Sequence, residues 1–269
     1  MMGRSHALSG WCAGLVGAPV LGMTSLIEVL PFAATTAGFA LLPDLDHPRA
    51  RASRLFGPLT GVLSRLVRGF SSYLYALTKG PRDEDCTGKH RHASHTLVAA
   101  VLLGMATGTA GRSGGAWAVF AVLVFGLVLA IGALGDWLLV VLGGCILLWM
   151  ITWPAGAEPS TLVNTGLARI GGWIGAAVTI GMFVHCLGDS LTKSGCPWLW
   201  PVPIRGETWY EIRPPRALRF RTGGPVERWL VVPALLVGGV LLLPGTWPLV
   251  SDAISTFTTT FTAPPAAAP

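Results

Sequence analysis

A chain of 269 residues that is 52% hydrophobic and only 12% charged, with a mean hydropathy of +0.60, departs from soluble domains, where about a quarter of the residues carry charge. The composition excludes an ordinary soluble domain and defines an integral membrane protein. A net charge of +6 fits orientation in a bilayer and attraction to anionic lipid, and gives no direct signal of nucleic-acid binding.

Apolar stretches run over residues 8–22, 24–42, 95–111, 116–134, 135–152, 168–190 and 229–250. Most are near the ~20 residues that a helix needs to cross a ~30 Å hydrocarbon layer. They are continuous, whereas barrel strands alternate over ~10 residues. The expected fold is therefore all-α: a polytopic membrane helix bundle of about six to seven transmembrane helices, occupying 1–250. Two stretches are ambiguous, because 8–22 is short and 116–152 reads either as two tight spans or as one span with an appendage. The Thr-, Ser-, Ala- and Pro-rich tail 251–269 is expected to be disordered. A cleavable signal peptide competes for 1–40, with Arg4 as its charged region, but the apolar length there is too great.

Of nineteen Lys and Arg residues, nine lie between 43 and 93 and seven between 191 and 228. The positive-inside rule makes both loops cytoplasmic, and an even number of spans between them agrees. Within the first loop, 55–78 repeats apolar residues at three and four, with Arg54, Arg65 and Arg68 elsewhere on the wheel. This predicts an amphipathic helix that either lies in the membrane interface or packs on the spans. Glycine pairs at small-xxx-small spacing (Gly10/Gly14, Gly104/Gly108, Gly171/Gly175) predict close helix packing. Five cysteines without a CxxC pair predict reduced thiols and no disulfide framework.

All six histidines (His6, His47, His90, His92, His95 and His185) fall at the cytoplasmic ends of spans or in the first cytoplasmic loop. His185 and Asp189, four apart in "MFVHCLGDSLT", share one helix face. They can share a divalent ion or simply hydrogen-bond two helices together. "KHRHASHT" adds His90 and His95 at the same depth, His90 on the incoming loop and His95 on the first helical turn; His92 is either solvated or a further ligand. "LPDLDHP" adds Asp44 and Asp46 as oxygen donors. Nitrogen and oxygen donors without thiolates suit zinc, manganese or iron, with more than one ion if six ligands converge. Such ions polarise phosphoryl oxygens and activate water, the chemistry of metal-assisted hydrolysis, with Arg91 as a clamp for a phosphate oxyanion. No GxSxG, P-loop or GxGxxG motif accompanies them, so the expected nucleophile is metal-activated water.

These segments, His6, "PDLDHP" at 43–48, "HRHASHT" at 90–96 and "HCLGDSLTKSG" at 185–195 with "LWP" at 199–201, resemble the bacterial membrane-bound metal-dependent hydrolases, also described as LexA-binding, inner-membrane-associated hydrolases. The motifs follow the family's order from 6 to 201, and His92 departs from the family's glycine. The resemblance implies a metal-dependent hydrolase of the cytoplasmic membrane, with His6, Asp44, His90, His95, His185 and Asp189 as metal ligands. It makes Asp46 and His47 supporting or further ligands and has Thr192 orient Asp189; Arg91, as the oxyanion clamp, and Asp46 are the candidate catalytic residues. The ligand pattern is also similar to that of zinc-dependent phospholipase C and P1 nuclease, which implies a phosphodiester or phospholipid substrate. Two other readings stay open: a non-catalytic, metal-stabilised anchor that binds a protein partner through its cytoplasmic loops, and a transporter using Glu28 and Asp136.

Overall fold

The structure is a computed structural model that describes the chain except residues 49, 51, 55–56, 155, 157, 250, 253–254 and 257–269. Most of the tail expected to be disordered, and the first residues of the expected amphipathic helix, thus lie outside the described residues. Among the described residues, eight named α-helices account for the fold: α1 (Gly3–Val20), α2 (Leu26–Phe39), α3 (Pro58–Thr78), α4 (Leu97–Ser113), α5 (Gly115–Leu134), α6 (Trp137–Ile151), α7 (Pro159–Ser190) and α8 (Val232–Leu241). No strand forms among the described residues, where only isolated bridges occur. Helices stand at all seven apolar stretches. Three segments, Leu26–Asp46, Gly115–Leu134 and Pro159–Ser190, are long and apolar enough to cross a membrane, and Leu97–Ser113 and Trp137–Ile151 are shorter apolar helices.

The ambiguous stretch 116–152 resolves into two helices. Gly135 breaks it at φ 102°, a left-handed conformation open to glycine and costly for a side chain, and α6 restarts two residues later. At the other ambiguous position, α1 begins earlier than the apolar stretch and so takes His6 into its first turn.

Small residues hold the bundle together. A Cβ on Gly14 would stand 2.5 Å from the Ala33 Cα of α2, and one on Gly175 would stand 2.5 Å from the Gly104 carbonyl oxygen of α4. The backbones of α1 and α2, and of α4 and α7, therefore approach to a distance that only glycine permits, and dispersion contacts replace the hydrophobic driving force that lipid removes. Phe32, Val29, Ala33 and Ala37 of α2 are fully buried, so α2 is the central helix.

The amphipathic helix α3 is inside out. It buries Thr60, Ser64, Ser71 and Tyr75 and exposes Leu66, Phe70, Tyr73 and Leu77. A helix that turns hydroxyls toward protein and leucines outward has lipid as the solvent of its apolar face, which favours the interfacial alternative. The Ser71 hydroxyl donates to the Gly88 carbonyl at 2.6 Å and accepts from the Ala93 N–H at 3.1 Å. The helix thereby holds the histidine-bearing segment 88–95 against the bundle.

Candidate metal centre

The first turn of α1, the end of α2, the start of α4 and the end of α7 meet at one end of the bundle. Three overlapping groups of candidate ligands gather there: His6, Asp44 and His185; His95, His185 and Asp189; and Asp46, His90 and His95. Within each group the ligand atoms lie within 4.8 Å of one another. His6, His95, His185 and Asp189 are buried, and Asp44 keeps its side chain 20% exposed.

Helical spacing places His185 one turn before Asp189 on α7. The His185 Nδ1 lies 2.7 Å from the Ala40 carbonyl oxygen, which can only accept. Nδ1 therefore carries the proton, and the Nε2 lone pair faces the cluster. His95, in the 3₁₀ turn that leads into α4, has its Nδ1 3.3 Å from Asp46 Oδ2 and 3.1 Å from Ser94 Oγ. Its Nε2 lies 3.1 Å from that of His185. His6 stacks on His185 with ring centroids 3.7 Å apart. Its Nε2 is 3.2 Å from Asp189 Oδ1, yet neither ring nitrogen is aligned with a hydrogen-bond partner. The two Nε2 atoms can share a proton as one hydrogen bond or, with both rings neutral, present two lone pairs to a metal ion, and the buried His6 imidazole beside them has no aligned partner.

Asp189 gathers the cationic side of the site. The Met1 ammonium meets its Oδ1, and Arg91 Nη2 lies 3.2 Å from its Oδ2. Arg91, at φ 58°, also reaches the Gly195 carbonyl at 3.3 Å and the Thr192 hydroxyl at 3.5 Å. Its guanidinium is thus engaged on the 189–195 segment. Thr192 donates to the Asp189 backbone carbonyl at 2.7 Å and so closes the end of α7; it does not touch the carboxylate oxygens.

Asp46 is fully buried and has donors on both oxygens. His90 Nδ1 meets Oδ1 at 2.6 Å, while the Arg91 N–H and the Ser94 hydroxyl meet Oδ2 at 2.9 Å each. With His95 beside them, these donors make Asp46 the organiser of the 90–95 segment. His90 shares a candidate ligand group with Asp46 and His95 and none with Asp189, and His47 packs edge-on against His90 with centroids 4.8 Å apart. His92 stands apart from the cluster: its Nδ1 donates to the His90 carbonyl at 2.7 Å and its ring packs on Tyr75 and Trp209. Burial holds the His92 imidazole below its ordinary pKa.

Several partners were not foreseen from the sequence. Ser94 sits inside the quoted histidine segment but carries no charge to mark it, and the Ala40 carbonyl is a backbone group. Glu227, ahead of α8, accepts from the Met2 N–H at 2.6 Å and the Gly223 N–H at 2.7 Å, and so anchors the start of α1. Nothing local in the sequence couples residues so far apart.

A cavity of about 650 Å³ opens beside Asp44, walled by Arg4, Leu41, Ala52, Leu134 and Asp136. Of the two acids considered for a transport path, Asp136 lies at this end, while Glu28 lies at the other end in an ion pair with Arg169 at 3.2 Å. No described acid links them through the bundle interior.

The fold and the site together define a polytopic helical membrane protein with a buried His/Asp cluster, fit to hold a metal ion, at one end of its bundle. The model of the YdjM inner membrane protein family matches residues 1–155 and 137–246. The chain belongs to that family, and with its apolar helices this places it in the bacterial inner membrane. Comparison with curated proteins and with solved structures gives no match.

Proposed function

We propose that this protein is a metal-dependent hydrolase working at the cytoplasmic face of the inner membrane on a phosphodiester or phospholipid-type ester. The observation that carries the reading is the convergence of His6, His95 and His185 nitrogens with Asp189 beside Asp44, the one partly exposed member of the set. Asp44 borders the ~650 Å³ cavity, a volume within the usual range for small-molecule sites.

In this reading His6, Asp44, His95, His185 and Asp189 hold the ion, and zinc suits these donors best, with manganese or iron as alternatives. The overlap of three groups leaves room for more than one ion. When bound, the ion supplies Lewis acidity toward the ester's phosphoryl oxygen and makes water acidic enough to act near neutral pH.

The chain's residues divide the remaining work. Asp46 is a positioning residue that fixes His95 and His90, so His90 and His47 support the site from outside the inner set. Arg91 holds Asp189 and contributes positive charge. Arg4, in the cavity wall, is the guanidinium placed to receive the substrate's anionic group. The outward apolar face of α3, with Leu66, Phe70, Tyr73 and Leu77 exposed, suits a protein that works at lipid level on a membrane-lipid substrate.

The test is detergent-purified protein assayed for bound metal and for hydrolysis of a panel of phosphodiesters and phospholipids. His185→Ala and Asp189→Asn should lose both metal and turnover. Purified wild-type protein that carries no metal and takes up none when zinc, manganese or iron is supplied overturns the reading. Bound metal with no turnover across the panel favours a metal-stabilised anchor for a protein partner.

A further inference from the structure

At the end of the bundle opposite the histidines, we propose a binding site for a zwitterionic aminophospholipid, a lipid carrying a phosphate and a primary ammonium. The inference is independent of any metal chemistry. Arg169 lies twenty positions before Asp189 on α7, a rise of about 30 Å at 1.5 Å per residue. That distance is the thickness of the hydrocarbon layer, so a cluster at one headgroup level puts Arg169 at the other.

Arg169 Nη1 pairs with Glu28 Oε1 at 3.2 Å, and the two side chains are 70% and 34% exposed. An ion pair this exposed is worth little to folding, so stability is a poor reason for its place. Two cavities meet at it. One, of about 220 Å³, runs into the bundle between Pro31, Leu142, Ile146, Trp149, Ile170 and Trp173 and is almost purely apolar. The other, of about 370 Å³, lies toward the aqueous side among Ser25, Thr152, Trp153 and Thr165. Glu28 and Arg169 line both.

An apolar slot within the hydrocarbon depth, a second bay above it that adds the Ser25, Thr152 and Thr165 hydroxyls to a mainly apolar lining, a pair of opposite charges at the junction and tryptophans along both cavities match the parts of one phospholipid. The acyl chain takes the slot, the phosphate accepts from Arg169, and the headgroup ammonium donates to Glu28. The charge pair selects the headgroup. A phosphatidylglycerol phosphate would meet Arg169 but bring no cation to Glu28, and a choline nitrogen has no N–H to donate. Only a primary amine satisfies both partners.

Native mass spectrometry of the purified protein equilibrated with equimolar phosphatidylethanolamine, phosphatidylglycerol and phosphatidylcholine tests this. The wild type should retain phosphatidylethanolamine about tenfold over the other two, the scale of one charge-assisted contact. Glu28→Gln should erase the preference while keeping a bound lipid, and Arg169→Gln should release all three. Ile146→Trp, which fills the slot and leaves the charges in place, should lower retention of all three alike; size-exclusion profile and thermal midpoint verify folding of each variant. Equal retention of the three lipids by the wild type, a preference for phosphatidylglycerol, or retention unchanged by both Arg169→Gln and Ile146→Trp overturns the proposal.

Discussion

His95 and His185 present their Nε2 atoms to each other at 3.1 Å, from helices ninety positions apart in sequence. The outer nitrogen of each ring faces an acceptor, Asp46 for His95 and the Ala40 carbonyl for His185. In the neutral rings, both inner lone pairs then point at one place. Either a proton shared between the two nitrogens or a metal ion bound by both relieves that opposition, and a metal ion also gives His6 and Asp189 a common partner.

Metal removal follows from this relationship. A chelator should lower the thermal midpoint of the purified protein, and zinc should restore it. An ion present at a thousand times its Kd stabilises by about 4 kcal/mol. His185→Ala should be insensitive to both treatments. A chelator-independent midpoint in the wild type, with no metal detected by mass spectrometry, would sink the metal centre.

Asp46→Asn leaves the inner ligands untouched and replaces one acceptor oxygen by a donor amide in a fully buried place where the neighbours are donors. Metal affinity should fall about ten- to a hundredfold, the usual effect of losing an outer partner of a ligating histidine. Competition with a fluorescent zinc chelator measures it. Ser94→Ala removes one of the donors to the same carboxylate and should act in the same direction with smaller size.

Glu227 provides a pH test away from the metal. Burial raises its pKa, but the N–H groups of Gly223 and Met2, the Ser5 hydroxyl and the N-terminal ammonium together outweigh burial and hold the carboxyl below its ordinary value. A depressed folded pKa gives stability that is present above the unfolded value and is lost as pH falls through the folded one. The advantage of wild type over Glu227→Gln in thermal unfolding should therefore be full above about pH 5 and shrink below about pH 4. Near neutral pH, Glu227→Ala should cost about 2 kcal/mol, because two N–H groups lose their acceptor. A gap between wild type and Glu227→Gln that persists unchanged to pH 3 would contradict this account.

Close helix crossings should respond to single methyl groups. A Cβ on Gly38 would stand 1.8 Å from the Gly126 carbonyl oxygen, whereas one on Gly143 meets nothing within 4 Å. Gly38→Ala should destabilise by about 3 kcal/mol or more, because two backbones must separate. Gly143→Ala should be neutral or gain about 0.5–1 kcal/mol from helix propensity. Thermal unfolding in one detergent compares them, and equal midpoints would show that α2 and α5 do not cross as described.

Residues that carry a period or a charge announced their structure in advance. The apolar stretches placed the helices, and the glycine spacings of α1, α4 and α7 placed their close contacts, since lipid leaves small-residue packing as the main means of association. The i, i+4 spacing of His185 and Asp189 and the common depth of the histidines located the layer in which a site forms.

What the sequence left undecided were relationships across the chain. Composition could not say which face of α3 meets protein, because an amphipathic pattern reads the same whether the apolar side packs on spans or on lipid. Nor could "LPDLDHP" tell Asp44 from Asp46: both are carboxylates two residues apart, and only the 3₁₀ turn over Pro43–Asp46 sends one toward His185 and buries the other among the donors of the 90–94 segment. Arg91 drawn onto Asp189, Glu227 on Met2 and Glu28 on Arg169 are likewise set by helices meeting far along the chain. The sequence alone determined the membrane fold and the depth of the polar layer, since hydropathy and helical period are local. The division of roles among its residues came from the tertiary structure, because it depends on which lone pairs and donors packing brings within 3 Å.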